Sequence, residues 1–162
     1  MYRYLFKINI MKDVVALIPI ISIIVLCCTN PTEPSLDFSK MEVHYTKYGG
    51  KINTSKVDIY SSGLVNAYHI AHASLEILDS ASTVLSMGQQ KSIAELFEPF
   101  STYDSYYEPN EWYTDGDYHV TVLIYEGSSD TVTVYEPKNA NIPKRLSEII
   151  QEMESLWEDL IG

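Results

Sequence analysis

Residues 118–125 alternate so strictly that Tyr118, Val120, Val122 and Ile124 share one face of an extended chain, with His119, Thr121 and Leu123 on the other. Such a period of two is that of a strand. Residues 127–130 (Gly-Ser-Ser-Asp) read as a turn, and residues 131–135 (Thr-Val-Thr-Val-Tyr) return beside the first run. The pair is a β-hairpin, which commits the chain to an antiparallel sheet.

The rest of the sequence supplies further strands and a layer to cover them. Met41, Val43 and Tyr45 alternate with Glu42, His44 and Thr46, and Val57 and Ile59 repeat the pattern after the glycine pair Gly49-Gly50. The apolar stretch 64–70 follows Ser61-Ser62-Gly63. Its Leu64, Tyr68, Ala71, Leu75 and Leu78 also fit helical spacing, but the preceding glycine and the β-rich context favour a strand. Ser86-Met87-Gly88-Gln89 has the form of a capping box, so a helix is expected with Ile93, Leu96 and Phe97 inward and a stop near Pro99. Pro143 suits a first helical turn, and Leu146, Ile149, Ile150, Met153, Trp157 and Leu160 form one apolar stripe. The expected fold is α+β: a small antiparallel sheet of about five strands with two helices packed on one face, in the order β-β-β-α-β-β-α.

The start of the chain has a different character. Arg3, Lys7 and Lys12 precede an almost unbroken apolar run over residues 14–26, the layout of a secretory signal, with Met11 as an alternative start. A spanning helix needs about 20 apolar residues; this run is shorter, holds Pro19 and Ser22, and ends at Cys27-Cys28. The segment Val25-Leu26-Cys27-Cys28 resembles the lipobox of bacterial lipoproteins, with Cys27 standing where a smaller residue is usual. The resemblance implies that residues 1–28 are a signal peptide, that Cys28 is the lipidated first mature residue, and that the protein is held at the cell-envelope membrane facing the periplasm or cell exterior. More than one acyl chain gives stable anchoring where one is marginal. Residues 29–40, polar and with Pro31 and Pro34, read as a flexible tether, leaving 41–162 as a single domain.

Of 11 basic and 22 acidic residues, Arg3, Lys7, Lys12 and Asp13 fall before residue 29, so the mature part keeps 8 against 21. That sign repels phosphate backbones, so nucleic acid is not expected as a partner. Both cysteines are at 27 and 28, so residues 29–162 can form neither a disulfide nor a thiolate metal site.

Taken together, Tyr48-Gly49-Gly50, the strand entry Asp117-Tyr118, the Pro-led closing helix and the element order resemble the emfourin family of metalloprotease inhibitors. The family's Phe-Ala-Gly after the paired glycines is replaced by Lys51-Ile52-Asn53. No inhibitory residue carries over. What the resemblance implies is an inhibitor of thermolysin-type proteases.

The segment 100–118 is the leading site candidate. Tyr103, Tyr106, Tyr107, Trp112 and Tyr113 are interleaved there with Asp104, Glu108, Glu111, Asp115 and Asp117. Aromatic side chains offer large contact area at low entropic cost, so these five are candidate ligand-binding residues for a protein, peptide or sugar; folding back over the sheet edge as auxiliary core is the alternative. Asp115-Gly116-Asp117 lacks the rest of a calcium loop and reads as a turn. His69 and His72 are three apart, with His44 and His119 elsewhere, but neither HExxH nor thiolates accompany them. No G-x-S-x-G, S-x-x-K or activated Cys is present. The expectation is a non-catalytic, cofactor-free and metal-free binding or interaction module, with a protease inhibitor or a ligand-free structural envelope component as the other readings.

Overall fold

The alternation at residues 41–48 does form a strand, and that strand becomes the centre of the sheet. The computed structural model describes residues 36–49, 52–111 and 115–162; residues 1–28 with Cys28, the tether as far as residue 35, and Trp112 and Tyr113 lie outside them. Seven strands, β1 (Met41–Gly49), β2 (Ile52–Ile59), β3 (Leu64–Ile70), β4 (Ile77–Val84), β5 (Tyr106–Tyr107), β6 (Asp117–Tyr125) and β7 (Ser128–Tyr135), lie in the order β4-β3-β2-β1-β6-β7-β5. Among the described residues two α-helices, α1 (Met87–Phe97) and α2 (Lys144–Ile161), complete the α+β fold. Every neighbouring strand pair is antiparallel except β5 with β7.

Three expectations need correction. The sheet has seven strands rather than about five and is mixed, because β5 runs parallel to β7. The element order is accordingly four strands, α1, three strands, α2. The two additional strands gave no periodic signal: Tyr106–Tyr107 is too short, and residues 77–84 (Ile-Leu-Asp-Ser-Ala-Ser-Thr-Val) are apolar only at their ends. The hairpin turn is also tighter than expected. Tyr125 pairs directly with Ser128, so the loop is Glu126-Gly127 alone, with φ of 50° and 83°. Positive φ at both positions is the type I′ condition, which matches the right-handed twist of the flanking strands. Finally, the folded part takes in the end of the presumed tether. Residues Phe38–Lys40 form a 3-10 turn capped by Asp37, and Phe38 is buried.

One face of the sheet is covered. Met41, Val43 and Tyr45 of β1, Val57 and Ile59 of β2, Val65 and Ala67 of β3, Leu123 of β6, and Val132 and Val134 of β7 are all buried. The stripe of α2 supplies Leu146, Ile149, Ile150 and Met153 to the same core, with Trp157 and Leu160 half-buried at its end. α1 adds Ile93, Ala94 and Phe97 and packs on α2. Its start is fixed as the sequence suggests: the Ser86 hydroxyl accepts from Gln89 N–H while Gln89 Oε1 accepts from Ser86 N–H at 2.9 Å. β6 turns His119, Thr121 and Leu123 toward the helices, leaving Val120, Val122 and Ile124 half-exposed on the open face.

Phe97 is fully buried against Phe100 and the helix stripe. Phe97→Ala should therefore destabilise the fold by about 3–5 kcal/mol, whereas Ser86→Ala removes only the cap and should cost about 1 kcal/mol. Urea unfolding of the two variants measures both; equal losses would contradict this division between core and cap.

Candidate functional site

The open face carries a row of tyrosines that the strand register assembles from distant parts of the chain. Tyr48 lies directly opposite Tyr118 across β1 and β6, and Tyr118 lies opposite Tyr135 across β6 and β7. The first two rings are stacked with centroids 5.3 Å apart and planes 13° from parallel. Tyr118 and Tyr135 are closer, at 4.7 Å and 32°. Tyr106 extends the row from β5: its partner in the register is Thr133, two residues from Tyr135 and on the same face. The Tyr106 hydroxyl is pushed above its ordinary pKa, first by desolvation and then by Glu108 and its neighbours Tyr118 and Tyr135. The two ends of the row are the most open, Tyr48 at 40% and Tyr106 at 47% exposure.

Backbone close to the row holds it in place. The Tyr135 hydroxyl accepts a hydrogen bond from Gly116 N–H at 3.2 Å. A Cβ on Gly116 would stand 2.5 Å from the Tyr135 ring and from the Glu136 side chain, so a larger residue there would have to displace one of them. Asp117 N–H donates to Glu136 Oε1 at 2.8 Å. The Asp-Gly-Asp segment thus serves as a close-packed strand entry, and the Asp117 carboxylate faces Lys47 Nζ at 3.7 Å.

Of the five candidate aromatics, the structure describes three and separates them. Tyr106 points to the open face as part of the row. Tyr107 packs against the core, and its hydroxyl accepts from Asp104 N–H at 3.1 Å. Tyr103 also packs against the core, edge-on to Phe100 at 6.1 Å, with its pKa raised chiefly by burial. Parallel pairing of β5 with β7 produces this split, since adjacent residues of a strand face opposite ways. Tyr48, Tyr118 and Tyr135, absent from the sequence-based candidates, join Tyr106 because the register aligns them. Their signal in the sequence is only that each stands at a strand end.

Behind the same end of the sheet, on the helix side, lies a polar cleft of about 340 Å³, lined by Lys47, Asp117, His119, Glu136, Lys138, Ser147, Gln151 and Glu154 among others. Lys47 Nζ donates to Glu154 Oε1 at 2.8 Å. Burial works to lower the Lys47 pKa, but that bond and the charges of Glu154 and Asp117 outweigh it and hold the ammonium form. His119 Nδ1 and the Tyr45 hydroxyl share a 2.7 Å hydrogen bond under the helix layer. Burial pushes the Tyr45 phenol up and the His119 imidazole down to about 4. Both are therefore neutral at pH 7.

The other histidines stand apart. His44 Nδ1 and Lys56 Nζ meet the two oxygens of buried Asp58 at 2.7 and 2.8 Å on the open face. His69 sits edge-on to Trp157, whose Nε1–H donates to Tyr68 O at 2.9 Å, and His72 is exposed in the turn after β3. Among the described residues no three His, Cys, Asp or Glu side chains converge as a metal-holding group, and no described helix is long and apolar enough to cross a membrane. No protein-family model matches the chain, and no characterised protein matches it significantly.

The buried imidazole sets a pH dependence of stability. An unfolded His titrates near 6.5, so between that value and about 4 the unfolded chain binds a proton that native His119 does not. Stability is therefore complete above about pH 6.5 and falls as the pH drops toward 4, by up to about 3 kcal/mol from this residue. Urea unfolding of the parent and His119→Gln between pH 7 and pH 4.5 should show a steeper loss in the parent; parallel slopes would contradict a buried neutral imidazole.

Proposed function

We propose that the protein is an exported, lipid-anchored and non-catalytic binding module of a bacterial cell envelope, and that it engages a protein or peptide segment through the tyrosine row on its open sheet face. The observation that carries this reading is the alignment of Tyr48, Tyr118, Tyr135 and Tyr106 on one face, with the ends of the row open to solvent. Cross-strand aromatic pairs also stabilise a sheet by about 0.2–1 kcal/mol each, but that role does not call for exposed outer rings. Tyrosine is suited to recognition because a rigid apolar ring carries a polar tip.

Geometry and charge narrow the ligand. Four strands about 4.8 Å apart make the row about 14 Å long, the length of four or five residues of extended peptide. Of 22 acidic and 11 basic residues in the chain, only three basic ones and one acidic one precede residue 29. A neutral or basic segment is favoured, and nucleic acid is disfavoured. The anchor rests on the Val25-Leu26-Cys27-Cys28 segment, with Cys28 as the acylated residue and the apolar run 14–26 as its signal.

Two experiments test the two halves of the proposal. Pull-downs from envelope extracts with the parent and a Tyr48→Ala, Tyr106→Ala, Tyr118→Ala variant should differ; identical profiles would remove the row from consideration. Single changes calibrate the variant. Exposed Tyr106→Ala should alter stability by no more than about 0.5 kcal/mol, while Tyr107→Ala should destabilise because its ring packs on the core. Mass spectrometry of the mature N-terminus should find acyl groups on Cys28, and an intact residue 1 or 11 defeats the anchor. A thermolysin-type protease mixed with the domain should keep full activity under this reading; inhibition would favour the emfourin-like alternative instead.

A further inference from the structure

The exposed large apolar side chains among the described residues fall into two groups. Tyr48 and Tyr106 end the tyrosine row. The other six, Leu64, Leu75, Ile77, Leu78, Val84 and Met87, lie on or beside β4. That strand is the last of the sheet, and its outer edge pairs with no described strand. Every residue of β4 except Ala81 is exposed, although the C-terminal helix α2 runs close to the strand.

Sheet edges of this kind are normally blunted by brevity, lysine, proline or bulges, because a bare row of N–H and C=O groups recruits other strands. The opposite edge follows that rule where β5, two residues long between Asp104 and Pro109, ends it beside Thr133 and Val134 of β7. β4 does not. It is eight residues long, with no Lys, Arg or Pro and a single charge at Asp79. Its irregularity falls at the start, where Leu78 is the extra residue between the pairs His69–Asp79 and Ile70–Ile77 and bulges there, so Asp79 to Val84 remain regular with Leu78 at their end.

We propose that β4 pairs antiparallel with β4 of a second copy of this chain about a two-fold axis at Ala81, joining two sheets into one. A two-fold axis perpendicular to the sheet keeps each side chain on its own face, so it pairs residues equally far from Ala81 on either side. Ser80 then meets the second copy's Ser82, Asp79 its Thr83, and Leu78 its Val84. Leu64, the cross-strand neighbour of Val84 in β3, widens the apolar contact. Moving the axis to Ser80 or Ser82 sets Leu78 or Val84 opposite serine, and moving it to Asp79 sets two carboxylates face to face. Of the registers centred on Asp79 to Ser82, the one at Ala81 matches apolar with apolar and keeps like charges apart.

Charge favours this contact over any other between copies. The chain carries a net charge of −11, so two copies repel over most of their surfaces, and β4 is the long low-charge stretch where they approach at least cost. Pairing of one edge with itself is isologous and uses up both edges, so it stops at two copies.

The test uses the full chain, in lysates of expressing cells treated with a short bis-maleimide. Ala81→Cys is expected to shift most of the chain to twice its mass, while the parent, whose thiols are Cys27 and Cys28, and Ser129→Cys, on an exposed strand across the sheet, do not shift. Adding Leu78→Lys and Val84→Lys to Ala81→Cys should abolish most of the doubled species. The proposal is overturned by no cross-link above the parent level, by a ladder of higher species, by linkage to a protein of another mass, or by equal linkage from Ser129→Cys. Cross-linking undiminished by the two lysines overturns the register.

Discussion

Strand β1 makes nine cross-strand pairs with β6 on one side and pairs with β2 on the other. Those nine pairs join positions 68 to 84 residues apart in the chain, so the N-terminal four-strand meander and the C-terminal hairpin become one sheet only through them. The groupings at that end of the sheet depend on the join. It brings Tyr48 against Tyr118, places Gly49 beside Asp117, and puts Lys47 within reach of Asp117 and, from α2, Glu154. The Tyr45 hydroxyl meets His119 through the same neighbouring strands. Long-range pairing of this kind must meet the entropy of closing the intervening loop before any contact forms.

The two faces at that end of the sheet are built from alternating residues of the same strands. Lys47 and His119 point to the helix side and line the cleft, while their neighbours Tyr48 and Tyr118 point to the open side and form the row. A single step along either strand exchanges a buried, charge-paired environment for an exposed aromatic one. Changes in the cleft therefore act mainly on stability, through burial of the Tyr45–His119 pair and the Lys47–Glu154 ion pair. Changes in the row act mainly on what the surface can contact.

The segment between α1 and β6 sends its tyrosines to both faces of the sheet. The sequence offers its tyrosines as a group, and the two readings of that group, recognition and auxiliary core, look exclusive. The short parallel strand β5 divides them instead, with Tyr107 and Tyr103 packed on the core and Tyr106 on the open face. The contrast between the two sheet edges has the same origin in local chain direction. β5 ends one edge after two residues, whereas β4 leaves the other long with a single charge.

Periodicity alone determined much of the architecture: β1, the β6–β7 hairpin, the Ser86-Gln89 cap of α1 and the apolar stripe of α2 are each written in spacing, because each depends on contacts within a few residues. β4 and β5 were not legible, since neither alternates and both owe their extended form to a neighbour already in the sheet. Nor could the pattern of residues 118–125 say which face would be covered, for Val120, Val122 and Ile124 make the more apolar side and yet face outward. The register with β1, where Tyr45 and Val43 already face the helices, settles that, and His119 and Thr121 are buried as a result. The tyrosine row has the same status. Thirteen tyrosines are visible in the sequence, but which of them stand side by side depends on strand registers between residues far apart, and only the assembled sheet fixes those.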